Sequence, residues 1–416
     1  MLLGKKINPL YPPGVASATA LLTALLLLTP SLLFSQIPAR TSHDNFPALC
    51  VDLRSLGYEI PISYAYNFRT GRQIIKIQFL DEQRLALTWF VTDHTVKLPE
   101  EQWSAVSGRV HLVVVNAANG QQIASHDWDS PSRKVDVAYT SAGYWLLARA
   151  DTLTLYSRSF EKINEKTNIQ ASEKSLVSPT GRTALIRRAA GDKPQLQLLD
   201  ANTLDVIDSF DPPVGAEPGA KLLAFYGYSD SNVVYSETQL VKFQTRTTRV
   251  FQRGINEAWV QLPLSLDNQR TDLGAPDFLT DGELAWINRH RIAVVDPRTG
   301  KIGLTWSPSD KEGFKALDSI SAGSSPKSGR FALIVYHLRG LLWQGLDMYP
   351  IASDDHVAVY SVEQLGPLFE AKVKGESPWH PWSLDFNSLA LSPDGDLLAV
   401  VSSNGLCLYR VPVPNH

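Results

Sequence analysis

The sequence predicts an all-β fold, a seven-bladed β-propeller of four-stranded antiparallel blades closed by an N-terminal strand. Two recurring phrases and one gap at the C-terminal end predict it. The first phrase is a polar turn, usually built on Gly, followed by a run of alternating apolar residues. It occurs seven times: from Phe79, Tyr139, Ser178, Tyr228, Leu279, Ser325 and Ser392. The copies from Ser178 (Ser-Pro-Thr-Gly-Arg-Thr-Ala-Leu-Ile) and Ser392 (Ser-Pro-Asp-Gly-Asp-Leu-Leu-Ala-Val-Val) show it most clearly. A supersecondary unit repeated every ~40–50 residues is the mark of a propeller blade. Each copy reads as the end of strand A, the A–B turn and strand B.

The second phrase marks strand C and the C–D turn. It reads Leu112-Val-Val-Val-Asn-Ala-Ala-Asn-Gly, Leu196-Gln-Leu-Leu-Asp-Ala-Asn-Thr and Ile292-Ala-Val-Val-Asp-Pro-Arg-Thr-Gly, with a looser copy from Val357. Alternation running into Asn or Asp and then Gly suits a tight hairpin, because Gly and Asn tolerate positive φ. Together the phrases place blades at 74–130, 134–166, 172–213, 220–254, 273–310, 317–375 and 383–412. In the sixth, Tyr336 to Asp355 is expected to be a loop inserted between strands B and C.

The seventh repeat lacks a fourth strand. After Gly405-Leu-Cys-Leu-Tyr-Arg the chain ends within a few residues. An unfilled place would leave an unpaired edge and an open ring. Two spare extended stretches precede the first repeat, Ala48–Leu53 and Glu59–Tyr66, and one of them is expected to supply the strand. The chain has two cysteines, Cys50 and Cys407. If Ala48–Leu53 lies beside strand C of the last blade, the two are cross-strand neighbours and a disulfide would lock the ring. The alternative is two unrelated buried thiols.

With 416 residues, 44% of them hydrophobic, and a net charge of −3, the chain can bury a large core and shows no electrostatic footprint for nucleic acid. Residues 1–36 read as a secretory signal. Lys5 and Lys6 precede an uncharged stretch with an apolar centre from Ala20, and Ser35 is a plausible cleavage point. An uncleaved anchor is the alternative. Either way the domain is expected outside the cytoplasm, secreted or periplasmic, and touching a membrane only through that segment. Residues 37–73 form the segment with the ring-closing strand, and 74–412 the propeller.

These phrases resemble the blades of the WD40/YVTN and quinoprotein-like propeller superfamily, over nearly all of the mature chain. The copy from Ser392 is similar to the blade consensus of WD40-like and TolB-like repeats. Val295-Asp-Pro-Arg-Thr-Gly-Lys-Ile-Gly-Leu-Thr-Trp resembles the Asp-x-x-Thr-Gly motif of quinoprotein propellers. The resemblance implies the architecture. It implies no partner class, because the Gly-His and Trp-Asp pairs of eukaryotic WD40 blades are absent.

Catalytic signatures are thin. A quinone cofactor would need the Asp-Thr-Gly-Trp motif in several blades, and only Asp296, Thr299, Gly300 and Trp306 follow it, so no cofactor is expected. A hydrolase of the YVTN or lactonase type would use charged groups at the channel mouth. Arg289, His290 and Arg291, on a B–C turn, form the basic cluster that could meet an anion. The nine histidines show no metal-ligand spacing, and no metal is expected. His126-Asp127-Trp128-Asp129 is either a polar strand end that could in principle bind a cation or, the favoured reading, a turn. No Gly-x-Ser-x-Gly elbow is present.

Aromatic residues give the strongest candidate for recognition. Trp343 and Tyr349 lie in the sixth-blade insertion, and Trp379, His380 and Trp382 in the connection to the seventh. A B–C loop and a D–A connection share one rim of a propeller, so these residues could converge there. Exposed Trp and Tyr are enriched at binding hot spots. The expected role is a monomeric binding scaffold for a protein, peptide or glycan, the competing class being a channel-mouth enzyme.

Overall fold

The computed structural model describes residues 45–58, 75–92, 107–132, 135–171, 176–190, 193–213, 222–227, 232–241, 245–261, 277–280, 283–288, 291–296, 302–306, 314–325, 327–344, 347–361, 363–373, 389–402 and 405–412. Among them the fold is all-β, with no α-helix and no helix long and apolar enough to cross a membrane. The strands form seven four-stranded antiparallel sheets.

Strand β1 (Leu49–Val51) comes first, followed by a 3-10 turn at Leu53–Leu56. The first sheet is β2 (Lys76–Phe79), β3 (Arg84–Thr92), β4 (Gly108–Asn116) and β5 (Gln122–Ser130). The second is β6 (Val135–Tyr139), β7 (Trp145–Arg149), β8 (Thr152–Tyr156) and β9 (Lys162–Thr167). The third is β10 (Ile169–Ala171), β11 (Thr183–Ala190), β12 (Lys193–Asp200) and β13 (Val206–Phe210). The fourth is β14 (Leu222–Gly227), β15 (Asn232–Val241), β16 (Thr245–Gly254) and β17 (Val260–Gln261). The fifth is β18 (Asp277–Thr280), β19 (Glu283–Asn288), β20 (Arg291–Val295) and β21 (Ile302–Trp306). The sixth is β22 (Phe314–Ser325), β23 (Arg330–Gln344), β24 (Asp347–Ser361) and β25 (Gln364–Lys372). The seventh takes β26 (Leu389–Leu391), β27 (Leu397–Ser402) and β28 (Gly405–Arg410) from the C-terminal end and β1 from the N-terminal end, in the order β1-β28-β27-β26. Each first-phrase repeat leads into the second strand of a sheet, and each second-phrase repeat lies in a third strand.

Alternation explains how the sheets pack. Successive side chains of a strand point to opposite faces. In β3, Leu85, Leu87 and Trp89 join a core shared with the seventh sheet, while Ala86 and Phe90 join a core shared with the second. In β27, Leu398 and Val400 pack toward the sixth sheet, and Ala399 and Val401 toward the first. In β7, Leu146 and Ala148 meet the third sheet, and Trp145 and Leu147 the first. In β11, Leu185 turns to the fourth sheet while Ala184 and Ile186 turn to the second. The period-two pattern therefore stacks sheets six, seven, one, two, three and four in series. Fully burying each such Leu or Val is worth about 1.5–3 kcal/mol. The fifth sheet neighbours the sixth through β18 and β22.

The fourth strands of the first four sheets carry the exposed apolar residues, whereas β25 of the sixth sheet is buried at Phe369, Glu370 and Ala371. Ile123 of β5, Ile163 of β9, Val206 and Ile207 of β13 and Val260 of β17 are exposed, whereas β26, a first strand, is buried throughout. First strands also neighbour one another across sheets, β22 with β26 and β26 with β2.

The N-terminal segment straps three sheets together. The Asn45 amide donates to the carbonyl of Glu370 in the sixth sheet at 2.9 Å. Leu49, Cys50 and Val51 pair with Leu408, Cys407 and Leu406 of the seventh. Leu53 and Leu56 are buried in the core shared with the first sheet, and the Tyr58 ring meets the edge of Trp89. Cys50 and Cys407 are bonded as a disulfide.

Candidate functional site

A four-stranded antiparallel meander puts its A–B and C–D turns at one end and its B–C turn at the other. The two ends of these sheets are built differently.

The A–B and C–D turns are short and bonded to one another across sheets. In the first sheet, Asp81 accepts from the amides of Gln83 and Arg84 at 2.9 and 2.8 Å. Partial burial works to raise the Asp81 carboxyl, but these amides and the Arg84 guanidinium outweigh it and hold it below its ordinary range. The next turn acid, Glu82, accepts from the amide of Asp394 in the seventh sheet at 2.7 Å. Burial, aided by the neighbouring Asp394 and Asp396 carboxylates, pushes Glu82 up despite that amide. Asp394 in turn pairs with Lys327 of the sixth sheet. Ser325 Oγ donates to the carbonyl of Pro393 at 2.6 Å, and Arg330 to that of Gly395 at 2.8 Å. Between the second and third sheets, the Ser141 amide donates to the Gly181 carbonyl at 2.8 Å, and Asn202 accepts from Ala142 at 3.0 Å. Gly181 sits at φ +72° with its α-carbon so near the Ser141 backbone that a β-carbon would lie 2.9 Å from that nitrogen. The Ser-Pro-x-Gly phrase thus serves the framework: its glycine admits both the left-handed turn and the neighbouring sheet.

The B–C end is irregular. Most second strands have five to nine residues, but β23 and β24 have fifteen each. The segment from Tyr336 to Asp355, expected as a loop, instead continues both strands. Pairing runs from Val335↔His356 out to Gln344↔Asp347, with register shifts around Leu338. The physical reason is in the sequence: the two arms are of similar length, carry Leu341, Leu342 and Trp343 on one and Met348, Tyr349 and Ile351 on the other, and only Gly345-Leu346 separates them, a Gly-first dipeptide suited to a two-residue hairpin loop. Tyr336, His337 and Leu338 still pair with β22, and the six residues Arg339–Gln344 add roughly 20 Å of two-stranded ribbon beyond it at a strand's rise per residue. Trp343 stands opposite Met348, and Tyr349 opposite Leu342, close to its end. The fourth sheet has the next longest B–C hairpin, paired out to Val241↔Thr245.

Of the other sequence-derived site residues, Arg291 opens β20 opposite Asn288. Arg289 and His290, and Trp379, His380 and Trp382, lie outside the described residues. His126 to Asp129 is not a turn. It lies within β5, paired with β4, because the strand phase of Gln122–Ser130 persists through its polar residues. The His126 ring stacks on Phe160 at 4.3 Å with planes 2° apart, and burial there holds its pKa below the ordinary histidine value.

Three polar pairs were not foreseen from the sequence, since each depends on strand register. His111 and Asp127 stand opposite one another in β4 and β5 and bond through His111 Nδ1, with Trp89 against the imidazole. His356 Nδ1 lies 3.0 Å from Glu370 in the sixth sheet, both buried. Arg253 of the fourth sheet bonds Asp208 of the third at 2.6 Å and lies 4.0 Å over the Phe210 ring. No group of three or more His, Cys, Asp or Glu able to hold a metal occurs among the described residues.

No family model and no curated protein matches the chain. Among solved structures it is similar to a chain of the mitotic checkpoint complex, at 15% identity and a TM-score of 0.47, over 92% of this chain and 100% of that one. It is also similar to streptogramin B lyase, at 10% identity and a TM-score of 0.47, over 81% and 93%. For Hsv2p of Kluyveromyces lactis the figures are 11%, 0.41, 82% and 98%. These likenesses are distant, and the architecture rests on the sheets and their packing.

Proposed function

We propose that the chain is an exported seven-bladed β-propeller, closed by β1, that binds a protein, peptide or glycan partner through its B–C rim. The serial packing of sheets on both faces, the exposed fourth strands of the first four sheets and the neighbouring first strands support a radial ring. The pairing of β1 with β28 supports its closure. Export is favoured by the basic-then-apolar start of the sequence, and the Cys50–Cys407 bond suits an oxidising compartment. In this reading residues 1–36 are removed or retained as an anchor, and the mature domain is monomeric.

The observation that carries the binding role is the β23–β24 ribbon. A sheet needs no such extension to pack against its neighbours, and its sequence from Leu338 to Ile351 is rich in Leu, Trp, Met and Tyr. Trp379, His380 and Trp382, outside the described residues, belong in sequence to the connection between the sixth sheet and the seventh. Crosslinking and capture from the producing cell's envelope tests the reading, with Trp343→Ala and Trp379→Ala baits beside the native one. A partner captured by the native bait and lost from both variants is expected. Capture that is unchanged in folded variants would refute the rim as the site.

A further inference from the structure

The ribbon of the sixth sheet is two strands wide, and its two edges differ in what their main chain offers. On one side the last pair with β22 is Phe314↔Leu338, and on the other the last pair with β25 is His356↔Lys372. Past those pairs, the outer sides of Arg339–Gln344 and Asp347–Asp355 meet no further strand among the described residues. Two residues separate the paired Gln344 and Asp347, and the bonds that close such a loop turn the N–H and C=O of both toward each other. Main-chain groups alternate sides from there. Leu342, Tyr349, Gly340 and Ile351 therefore bond within the ribbon, while Trp343, Leu341, Met348 and Pro350 turn their groups outward. Pro350 agrees with this phase, since proline has no N–H and fits a sheet only where that group would face out. The β24 edge is thus interrupted at Pro350, and the β23 edge presents the N–H and C=O of both Leu341 and Trp343. The preceding stretch of chain is too short to cover the β23 edge. Residues 307–313 join β21 to β22. They are too few both to pair along Arg339–Gln344 and to return roughly 20 Å to β21, where Trp306 pairs with Ile292.

We infer that an extended segment of a partner polypeptide adds to the β23 edge as a third strand of the ribbon. The inference rests on the scaffold reading above and narrows its partner from a protein, peptide or glycan to an extended polypeptide. Leu341 and Trp343 repeat a donor and an acceptor about every 6.6 Å, twice a strand's rise, and a second main chain repeats them at the same interval. An unpaired row of this kind is a template for one more strand. A two-stranded ribbon is also marginally stable by itself, so a third strand stabilises it. Strand addition takes its affinity from main-chain bonds and its specificity from alternate side chains.

The test uses the purified full chain and a fluorescent peptide, Lys-Thr-Val-Thr-Val-Thr-Lys, beside the same peptide N-methylated at every residue. Anisotropy titrations compare the native protein with three variants. Leu341→Pro removes an outward N–H without breaking a bond of the ribbon, Leu341→Ala keeps that N–H, and Met348→Pro removes one from the other edge. Hydrogen exchange on the native protein reports where the peptide lies. The expected result is binding of the unmethylated peptide alone, weakened roughly tenfold by Leu341→Pro and kept within about twofold by Leu341→Ala and Met348→Pro. The Leu341 and Trp343 amides should gain protection, and the Met348 amide should not. No binding, equal binding of the methylated peptide, equal binding by Leu341→Pro, or protection at Met348 instead would overturn the inference. Exchange decides the matter if the proline variant fails to fold. A native dimer that Leu341→Pro converts to a monomer would also overturn it, by assigning the edge to a second copy of the chain. So would equal competition by maltoheptaose, which would assign the edge to a glycan. If envelope capture depends on Trp343 while Leu341→Pro and Leu341→Ala capture alike, the scaffold reading stands and only strand addition fails.

Discussion

The two ends of these sheets solve different problems. At the A–B and C–D end, turns of neighbouring sheets donate and accept among themselves, as Glu82 with Asp394, Lys327 with Asp394 and Ser141 with Gly181 do. Their polar groups are committed to the framework. At the B–C end, the length of the hairpin arms varies from sheet to sheet, from five-residue strands in the second sheet to a fifteen-residue pair in the sixth. Variation gathers where the framework does not depend on it, and that is where binding residues are commonly found. The repeated phrase in the sequence is therefore a signature of the constant end, and the binding surface proposed above is built from the segments that break the repeat.

The largest effect should come from the strap. Removing the disulfide with Cys50→Ser/Cys407→Ser, which frees a link across a sequence separation of 357, should cost roughly 2–5 kcal/mol in denaturant unfolding. A loss below about 0.5 kcal/mol on the same scale would show that the pairing of β1 with β28 does not depend on this bond. The fourth sheet then offers the comparison within one strand, β16. Arg253→Met, at the framework end, strands the buried Asp208 and should cost about 3 kcal/mol. Arg246→Met, near the B–C end, should change stability by less than about 0.5 kcal/mol. Similar losses would erase the distinction between the two ends. Gly181→Ala should cost about 1–3 kcal/mol in thermal unfolding, since the new β-carbon must share the left-handed turn with the Ser141 backbone.

The smallest effect concerns His126. Burial lowers its folded pKa, so the unfolded chain binds the extra proton first. Its neutral ring supports the fold fully above about pH 6.5, and stability falls as pH drops from there through the lower folded value. His126→Phe should flatten that part of the stability–pH curve. A curve of unchanged slope would assign the acid sensitivity elsewhere.

The sheet boundaries were legible because the turn phrases recur and because period-two alternation has one structural meaning. The place of β1 was legible in part: the seventh repeat called for a strand from either Ala48–Leu53 or Glu59–Tyr66, with the two cysteines bonded or unrelated, and the pairing of Leu49–Val51 with β28 and the Cys50–Cys407 bond select the first of each. What escaped depended on register. Nothing local relates His111 to Asp127 or Arg253 to Asp208, which meet only after pairing and stacking are set. The β23–β24 ribbon was misread as a loop because its length departs from the repeat, although its apolar arms and central Gly345 were visible. His126 to Asp129 was misread because polar residues on an outer strand look like a turn.

The most direct test of the account is to shorten that ribbon. Replacing Arg339–Ile351 by a two-residue Asn-Gly turn should leave the unfolding midpoint within about 2 °C of native, since that part of the hairpin lies past the last pair with β22, Phe314↔Leu338. It should also abolish capture of the envelope partner. Loss of folding would show that the ribbon belongs to the framework, and intact folding with undiminished capture would contradict the claim that the B–C rim is the binding face.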